Sequence, residues 1–441
     1  MRDKGHHLKI TTHSHREGEL GLAELIAMGV GGMIGGGIFS VLGLAVGLAG
    51  NAAPLSFLIG SVIAFAAGYS YIKLALTYRD DGASFTYLLR AFPRFPHIAG
   101  IEGWTVVIGY VGTLALYAFT FGAYGADLLG GAQTHSLRVL LSMGVLAFFM
   151  LVNLRGARTS GLAEDLIVYA KIIILFIFAV IGLAAVEPGR MAPFLDKGMS
   201  GALLGGALIF VAFEGFQLIT NSVNEMGDPE RNVPRGIYGS IAITSLIYIS
   251  LAVVAVGTMS RANLLAAGEY ALAEVAGPIL GAGGKVLVGM AALMATSSAI
   301  NATLFGASRM SAVMAGKKMM PGWLGRLSRA GTPAAAVLAL ALLSAAFTVL
   351  GSLEVIASFS SMTFLLVSIG VSVANLELAD QTGSNRAWIA AGLVLMTATV
   401  GTLIYYLATH EPRKLLAVGL IYAATAVLEL FANKHARGAT G

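Results

Sequence analysis

The chain reads Ala27-Met-Gly-Val-Gly-Gly-Met-Ile-Gly-Gly-Gly-Ile-Phe-Ser40 within its first long apolar stretch, with six glycines between Gly29 and Gly37. Glycine destabilises a helix interior, so a cluster this dense predicts an interrupted helix. Inside a bilayer, backbone that leaves the helix is tolerated only where it is buried in protein or lines a cavity. The stretch therefore predicts a functional break, although its glycines at four-residue spacing also match a helix-packing motif.

Composition gives the class of protein. Of the 441 residues, 57% are hydrophobic and only 12% are charged, and the mean hydropathy is +0.80, which excludes an ordinary soluble domain. Runs of about 20 apolar residues, the length that crosses a bilayer, recur along the chain. We predict an all-α integral membrane protein with about twelve transmembrane helices. They are expected at 20–49, 53–77, 97–125, 137–154, 162–185, 199–226, 236–259, 283–314, 333–351, 354–377, 387–408 and 413–432.

The distribution of basic residues predicts the topology. With loops assigned alternately to the two sides, 20 of the 28 Lys and Arg residues fall on the side of both termini and seven on the other, with Lys171 inside a span. The positive-inside rule then places both termini in the cytoplasm, as expected for a cell-membrane protein with an even number of spans. The basic residues form no contiguous patch, which argues against nucleic-acid binding. The chain has no cysteine, so disulfides and thiolate metal sites are excluded.

A second span is interrupted at the equivalent place. The sixth span reads Leu208-Ile-Phe-Val-Ala-Phe-Glu-Gly-Phe-Gln-Leu-Ile-Thr-Asn-Ser222, with Glu214 and Gly215 near its middle. Spans one and six occupy corresponding positions in two halves of five spans each. Paired interruptions of this kind indicate a secondary transporter with an inverted repeat and a binding site at the breaks.

Broken helix ends can bind a zwitterion. The N-terminus of a half-helix offers N–H groups to an anion, and a C-terminus offers carbonyl groups to a cation. We expect the N–H groups around Gly36 to hold a carboxylate, and carbonyl groups near Met33 and Phe213 to hold an ammonium. Four phenylalanines could enclose the ligand or simply pack between helices. The candidate substrate site comprises Met33, Ile34, Gly35, Gly36, Gly37, Ile38, Phe39, Phe213, Glu214, Gly215, Phe216 and Phe359.

Two charged residues, Lys171 and Glu214, lie near the middle of predicted spans. Lys171 interrupts the apolar run Leu166–Ile181, where an ammonium facing lipid would be costly, so we expect it to face the interior of the helix bundle. It is our first candidate functional residue, and the alternatives are a structural ion pair to a buried acid such as Glu214 or a side chain that snorkels to the interface. Glu214 itself could bind a cationic substrate group, serve as a second proton carrier, or pair elsewhere.

The segment after span six carries the most specific motif. Asn224-Glu-Met-Gly-Asp-Pro-Glu-Arg-Asn-Val-Pro-Arg-Gly-Ile237 resembles the signature that follows helix six in the amino acid–polyamine–organocation (APC) transporter superfamily. The glycine-rich segment Gly31–Phe39 is also similar to that family, and the resemblance extends over essentially the whole chain, including Ser297–Thr303 and Met320–Leu324.

The resemblance implies a leucine-transporter-type fold. It implies one repeat at 20–185, a second at 186–377, added helices at 378–432 and polar tails at 1–19 and 433–441. It also implies an amino acid or amine substrate moved by alternating access, with no cofactor, metal or obligate protein partner.

The resemblance also suggests the coupling ion. Proton-coupled members similar to this chain place a helix-five lysine where sodium-coupled relatives hold sodium, and Lys171 matches that lysine. Its expected partners are the carbonyl of Gly29 or Val30 and the hydroxyls of Ser297 and Ser298. We therefore expect sodium-independent, proton-coupled uptake of neutral amino acids.

Several alternative functions stay open. Glu214 keeps a cationic amino acid or polyamine substrate open, including transport by exchange. A sensor that binds amino acids without transporting them is also compatible with the sequence. An enzyme is disfavoured because the chain has no HExxH or GxSxG motif, and a channel because it has no filter-like repeat.

Overall fold

The structure is a computed structural model that describes residues 20–79, 84–156 and 161–438. The predicted tail 1–19 and the last residues of the predicted tail 433–441 lie outside this part, and helix α16 reaches Gly438. The described α-helices are α1 Leu22–Met33, α2 Gly37–Ala49, α3 Ala53–Tyr78, α4 Ser84–Ala91, α5 Pro96–Leu128, α6 His135–Leu154, α7 Gly161–Ala184, α8 Gly198–Leu208, α9 Pro229–Thr258, α10 Arg261–Ala267, α11 Ala271–Gly316, α12 Ala334–Leu350, α13 Leu353–Glu377, α14 Ala379–Thr382, α15 Arg386–His410 and α16. Helix α16 begins at Pro412, and short 3-10 helices join several of these elements.

The helices confirm an all-α membrane protein. Nine helical stretches in the described part are long and apolar enough to cross a membrane, and α1 and α12 are apolar but shorter. Some of these stretches join two predicted spans, as Gly37–Tyr78 does, whereas α16, which carries predicted span twelve, is not among them. The number of twelve crossings therefore stays a prediction.

The first predicted break lies between α1 and α2. Helix α1 ends at Met33, the next three residues form a bend, and a new helix begins at Gly37. A break inside an apolar stretch leaves backbone N–H and C=O groups without helical partners. Those groups lie in the middle of the bundle.

The second break lies at Glu214 and Gly215. Helix α8 continues into the 3-10 helix Ile209–Phe213, Glu214 is extended, and a second 3-10 helix runs over Phe216–Glu225. Gly215 has a φ of 136°, a backbone conformation that side-chain-bearing residues rarely adopt. Here the sequence has the residue that the turn requires.

The broken helices are enclosed by long continuous ones. Helix α1 packs against α7, α9 and the 3-10 helix Phe216–Glu225, while α2 packs against α8 and α11. Helices α5 and α11 pack against each other, and α7 packs against both α9 and α11. The outer side of α7 exposes apolar residues including Leu166, Ile173 and Phe176, as a lipid-facing surface does. This packing places both breaks in the interior.

Candidate functional site

The two breaks touch each other through glycine backbone. An ideal Cβ on Gly32 would lie 3.2 Å from Gly215 Cα, and one on Gly215 would lie 2.4 Å from the Gly32 carbonyl carbon. A Cβ on Gly37 would lie 2.7 Å from Ala212 Cα. Any side chain at these glycines would force the two broken helices apart, so the glycines make a backbone-lined site possible.

The predicted anion-binding groups lie at the start of α2. The first N–H groups of a helix have no acceptor within the helix, and here they belong to Gly37, Ile38 and Phe39. Tyr117 of α5 covers this end, since an ideal Cβ on Gly36 would lie 2.5 Å from its ring. A carboxylate bound to these N–H groups would also lie in contact with the Tyr117 ring.

Tyr248 of α9 joins the carbonyl ends of both breaks. Its hydroxyl lies 2.8 Å from the Met33 carbonyl oxygen and 3.1 Å from that of Ala212, and its side chain is fully buried. The predicted Met33 carbonyl therefore does face the second break. At the second break, the carbonyl oxygen that Tyr248 contacts is that of Ala212, one residue before the predicted Phe213.

Glu214 bonds to a residue of the 3-10 helix that follows it. Its carboxylate accepts a hydrogen bond from the Gln217 side-chain Nε2, and Oε1 of the same side chain accepts a bond of 3.0 Å from the Gly215 N–H. None of the ion pairs found in the described part of the chain includes Glu214, so the alternative of a Lys171–Glu214 ion pair is wrong.

Lys171 reaches the first break from α7. Its side chain is 1% exposed, and the ammonium Nζ donates to the Gly31 carbonyl oxygen at 2.8 Å. The prediction that Lys171 donates to the carbonyl of Gly29 or Val30 is wrong, because the rotation of α1 about its axis turns a different residue toward α7. A Cβ on Gly29 would lie 2.5 Å from Ser240 Oγ on α9, whereas one on Gly31 would lie 2.9 Å from Val168 Cγ1 on α7. Because two residues along a helix correspond to a rotation of roughly 200°, Gly29 and Gly31 lie on opposite sides of α1.

The predicted serine partners lie on α11 but do not complete the site. Ser297 and Ser298 are half-buried, and neither is hydrogen-bonded to Lys171 among the described residues. Their neighbours on α11 instead approach the break, because Cβ atoms on Gly35 and Gly36 would lie 3.2 Å from Ala299 Cβ and 3.1 Å from Thr296 Cγ2. Helix α11 therefore contacts the bend through side-chain carbon atoms.

The aromatic residues divide into two groups. Phe39 packs edge-on against Tyr124, and Phe213 packs against Tyr248, so both rings border the breaks. Phe216 packs against Tyr71 of α3. The Phe359 ring instead packs against Phe347 and Tyr422. The ring also borders α5, since an ideal Cβ on Gly112 would lie 3.0 Å from Phe359 Cδ1. That Phe359 encloses substrate stays a prediction.

Three residues that border the breaks were missed from the sequence. Tyr117 and Tyr248 stand in apolar helices without a motif around them, whereas Gln217 follows the second predicted break by two residues. Tyr110 and Tyr117 are seven residues apart and therefore share one face of α5, which is a weak signal of a polar stripe. No comparable signal marks Tyr248.

A cavity of about 360 Å³ lies away from the breaks, at the ends of α2 and α9. Asp196 is its central polar residue, accepting 2.8 Å bonds from the Asn51 N–H and from Arg261 Nη1. None of the cavity's lining residues belongs to either break. The cavity is therefore not the candidate site.

The comparisons with known proteins agree with this architecture. The family model described as amino acid permease matches residues 20–428. An uncharacterized protein of Methanocaldococcus jannaschii is 30% identical over 88% of this chain and 89% of its own length. An inner membrane transport protein of Escherichia coli is 30% identical over 90% of this chain and 92% of its own, and a branched-chain amino acid permease of Bacillus subtilis is 23% identical over 90% and 94%. Since the family match spans nearly all of the chain, the protein belongs to the amino acid permease family of the APC superfamily and is a multi-pass membrane transporter of amino acids, not an enzyme.

Proposed function

We propose that the protein is a sodium-independent, proton-coupled symporter of neutral amino acids with both termini in the cytoplasm. The observation that carries the proposal is the bond from the Lys171 ammonium to the Gly31 carbonyl, two residues before α1 ends at Met33. This bond ties the movable end of a broken helix to a continuous helix. Its strength depends on a proton, because a charged donor makes a stronger bond than a neutral one.

The two breaks supply a site for the backbone of an amino acid. The N–H groups of Gly37 and Ile38 suit the carboxylate, and the carbonyl groups of Met33 and Ala212 suit the ammonium. The rings of Phe39 and Phe213 border the site and favour an uncharged side chain. The name of the Bacillus subtilis relative, a branched-chain amino acid permease, supports the same substrate class.

Coupling follows from the position of Lys171. With the lysine protonated, α1 is held to α7, and release of the proton to the cytoplasm weakens that link and lets α1 swing away. We propose that the halves 20–185 and 186–377 provide the two sides of this alternating-access movement, with 378–432 outside the repeat.

Proteoliposomes test the proposed function directly. A labelled neutral amino acid such as leucine should accumulate above its outside concentration when the outside is more acidic, and a sodium gradient at equal pH should not drive accumulation. A channel cannot accumulate its substrate, and a sensor would bind without uptake. Accumulation that requires sodium, or equilibration without accumulation, would contradict the proposal.

Gly31→Ala should weaken coupling. The new Cβ would lie 2.9 Å from Val168 Cγ1 and push α1 away from α7, which also stretches the Lys171 bond. Overpacking typically costs about 1–3 kcal/mol, so uptake driven by a pH gradient is expected to fall by about tenfold.

The double variant Gly31→Ala/Val168→Ala should recover much of that uptake because the second change removes the obstructing methyl groups. Gly306→Ala on α11 is the matched control, since nothing lies within 4 Å of its ideal Cβ. A Gly31→Ala protein with normal uptake would show that the approach of α1 to α7 does not matter for coupling.

A cationic amino acid or polyamine is the second candidate substrate, favoured by one observation. Glu214 lies at the second break with a carboxylate that forms no ion pair in the described part of the chain. A ligand ammonium could supply the missing charge.

Glu214→Gln separates the two substrate classes. For a neutral substrate, excess lysine or putrescine should not inhibit leucine uptake, and the variant should keep leucine uptake within about threefold of the wild type, since a neutral amide preserves the shape of the side chain. Glu187→Gln, at an exposed ion pair, serves as the control. Strong inhibition by lysine that disappears in Glu214→Gln would overturn the neutral assignment.

A further inference from the structure

Tyr248 is placed to do more than pack α9 against its neighbours. Its single hydroxyl proton is shared between the carbonyl oxygens of Met33, at 2.8 Å, and Ala212, at 3.1 Å. One acceptor belongs to the first break and the other to the second. In the described part of the chain, the Tyr248 hydroxyl thus connects the carbonyl ends of the two breaks.

Neither carbonyl has a donor from its own helix. Met33 is the last residue of α1, so the backbone that follows turns away before it can donate. In a 3-10 helix the Ala212 carbonyl would accept from the Gly215 N–H, but that N–H donates to the Gln217 side chain instead. Both carbonyls therefore depend on a donor from outside their helices, because buried carbonyls left unpaired are unfavourable.

The same two carbonyls are the ammonium site of the proposed function, on which this inference rests. A substrate ammonium has three N–H donors and a charge, whereas Tyr248 has one neutral O–H donor. The ammonium is the stronger donor and can displace or share the hydroxyl. When no substrate ammonium is bound, the Tyr248 hydroxyl can donate to the same two carbonyl oxygens.

We infer that Tyr248 is a positioning residue that holds the two breaks together during the return of the carrier without substrate. In that half of the cycle, the Tyr248 hydroxyl donates to the two carbonyl oxygens in place of the substrate ammonium. A symporter must return without substrate for each net uptake event, whereas an exchanger returns with substrate. Tyr248 would thus decide whether this site performs net uptake or only exchange.

Tyr248→Phe removes the hydroxyl and keeps the ring. The ring centroid lies 5.8 Å from that of Phe57 and 5.5 Å from that of Phe213, and both contacts remain possible for phenylalanine. Two measurements on the same proteoliposomes then separate the half-cycles. Net uptake of labelled leucine under a pH gradient requires return without substrate, and exchange of internal labelled leucine for external unlabelled leucine does not.

Net uptake by Tyr248→Phe is expected to fall by about tenfold or more, the factor that corresponds to one lost buried hydrogen bond. Exchange should remain close to that of the wild type. The ratio of the two rates does not depend on the amount of folded protein in the vesicles. Tyr238→Phe is the matched control, the same change on the same helix, with its ring tilted against that of Phe65 and away from the breaks.

The outcomes are distinguishable. An unchanged ratio of net uptake to exchange in Tyr248→Phe, whether both rates are normal or both are low, overturns this inference and leaves the proposed function standing. A wild-type protein that neither accumulates nor exchanges amino acids overturns the proposed function and this inference with it.

Discussion

Replacing Lys171 with Ala should abolish accumulation of amino acid driven by a pH gradient. The variant loses the ammonium that donates to the Gly31 carbonyl, and with it the protonatable group in the side chain that is 1% exposed. A hydrogen bond to a charged group contributes about 1.5–3 kcal/mol, so the link between α1 and α7 weakens by more than tenfold. The pH gradient then has no group through which to act, and uptake should only equilibrate the substrate.

Lys73→Ala provides a close control for that experiment. Lys73 also donates its ammonium to a backbone carbonyl, that of Gly383 at 3.2 Å, but this bond lies at an exposed site. The control should accumulate substrate normally. Exchange at equal pH should persist in Lys171→Ala, since the substrate-binding backbone of the breaks is unchanged. Accumulation by Lys171→Ala at the wild-type level would rule out Lys171 as the coupling group.

Gly215→Ala should severely damage the protein. Gly215 has a φ of 136°, and its Cβ would lie 2.4 Å from the carbonyl carbon of Gly32. Strained backbone costs about 1–3 kcal/mol and overpacking a similar amount, and here the obstruction is backbone that cannot turn aside. We expect a lower melting temperature of the detergent-solubilised protein and almost no transport.

Gly401→Ala on α15 is its control, since nothing lies within 4 Å of that ideal Cβ and alanine favours a helix. The control should melt at or slightly above the wild-type temperature and transport normally. If Gly215→Ala also melts and transports like the wild type, the two breaks do not pack as closely as this account requires.

The sequence predicted where the helices break because glycine clusters are local signals. The bend between Met33 and Gly37 and the turn at Gly215 both lie where the pattern indicated. Membrane class and family were equally accessible, since composition and the motif after span six depend on residue identity alone.

The partners of the site residues were harder to predict. Gly31, and not Gly29, receives the Lys171 bond because the rotation of α1 about its axis is set by packing against α7 and α9. The aromatic neighbours of Phe359, which are Phe347 on α12 and Tyr422 on α16, are set by helix packing in the same way. Tyr248 could not be found at all, since the acceptors of its hydroxyl lie 215 and 36 residues away in sequence.

Proton movement with the substrate tests the central claim most directly. Proteoliposomes loaded with a pH-sensitive dye, without an imposed gradient, should acidify internally when leucine is added outside, in the absence of sodium. Wild-type protein and Lys73→Ala should show this signal, and Lys171→Ala should show none while still exchanging leucine. Leucine entry into wild-type vesicles without internal acidification, or equal acidification by Lys171→Ala, would contradict proton coupling through Lys171.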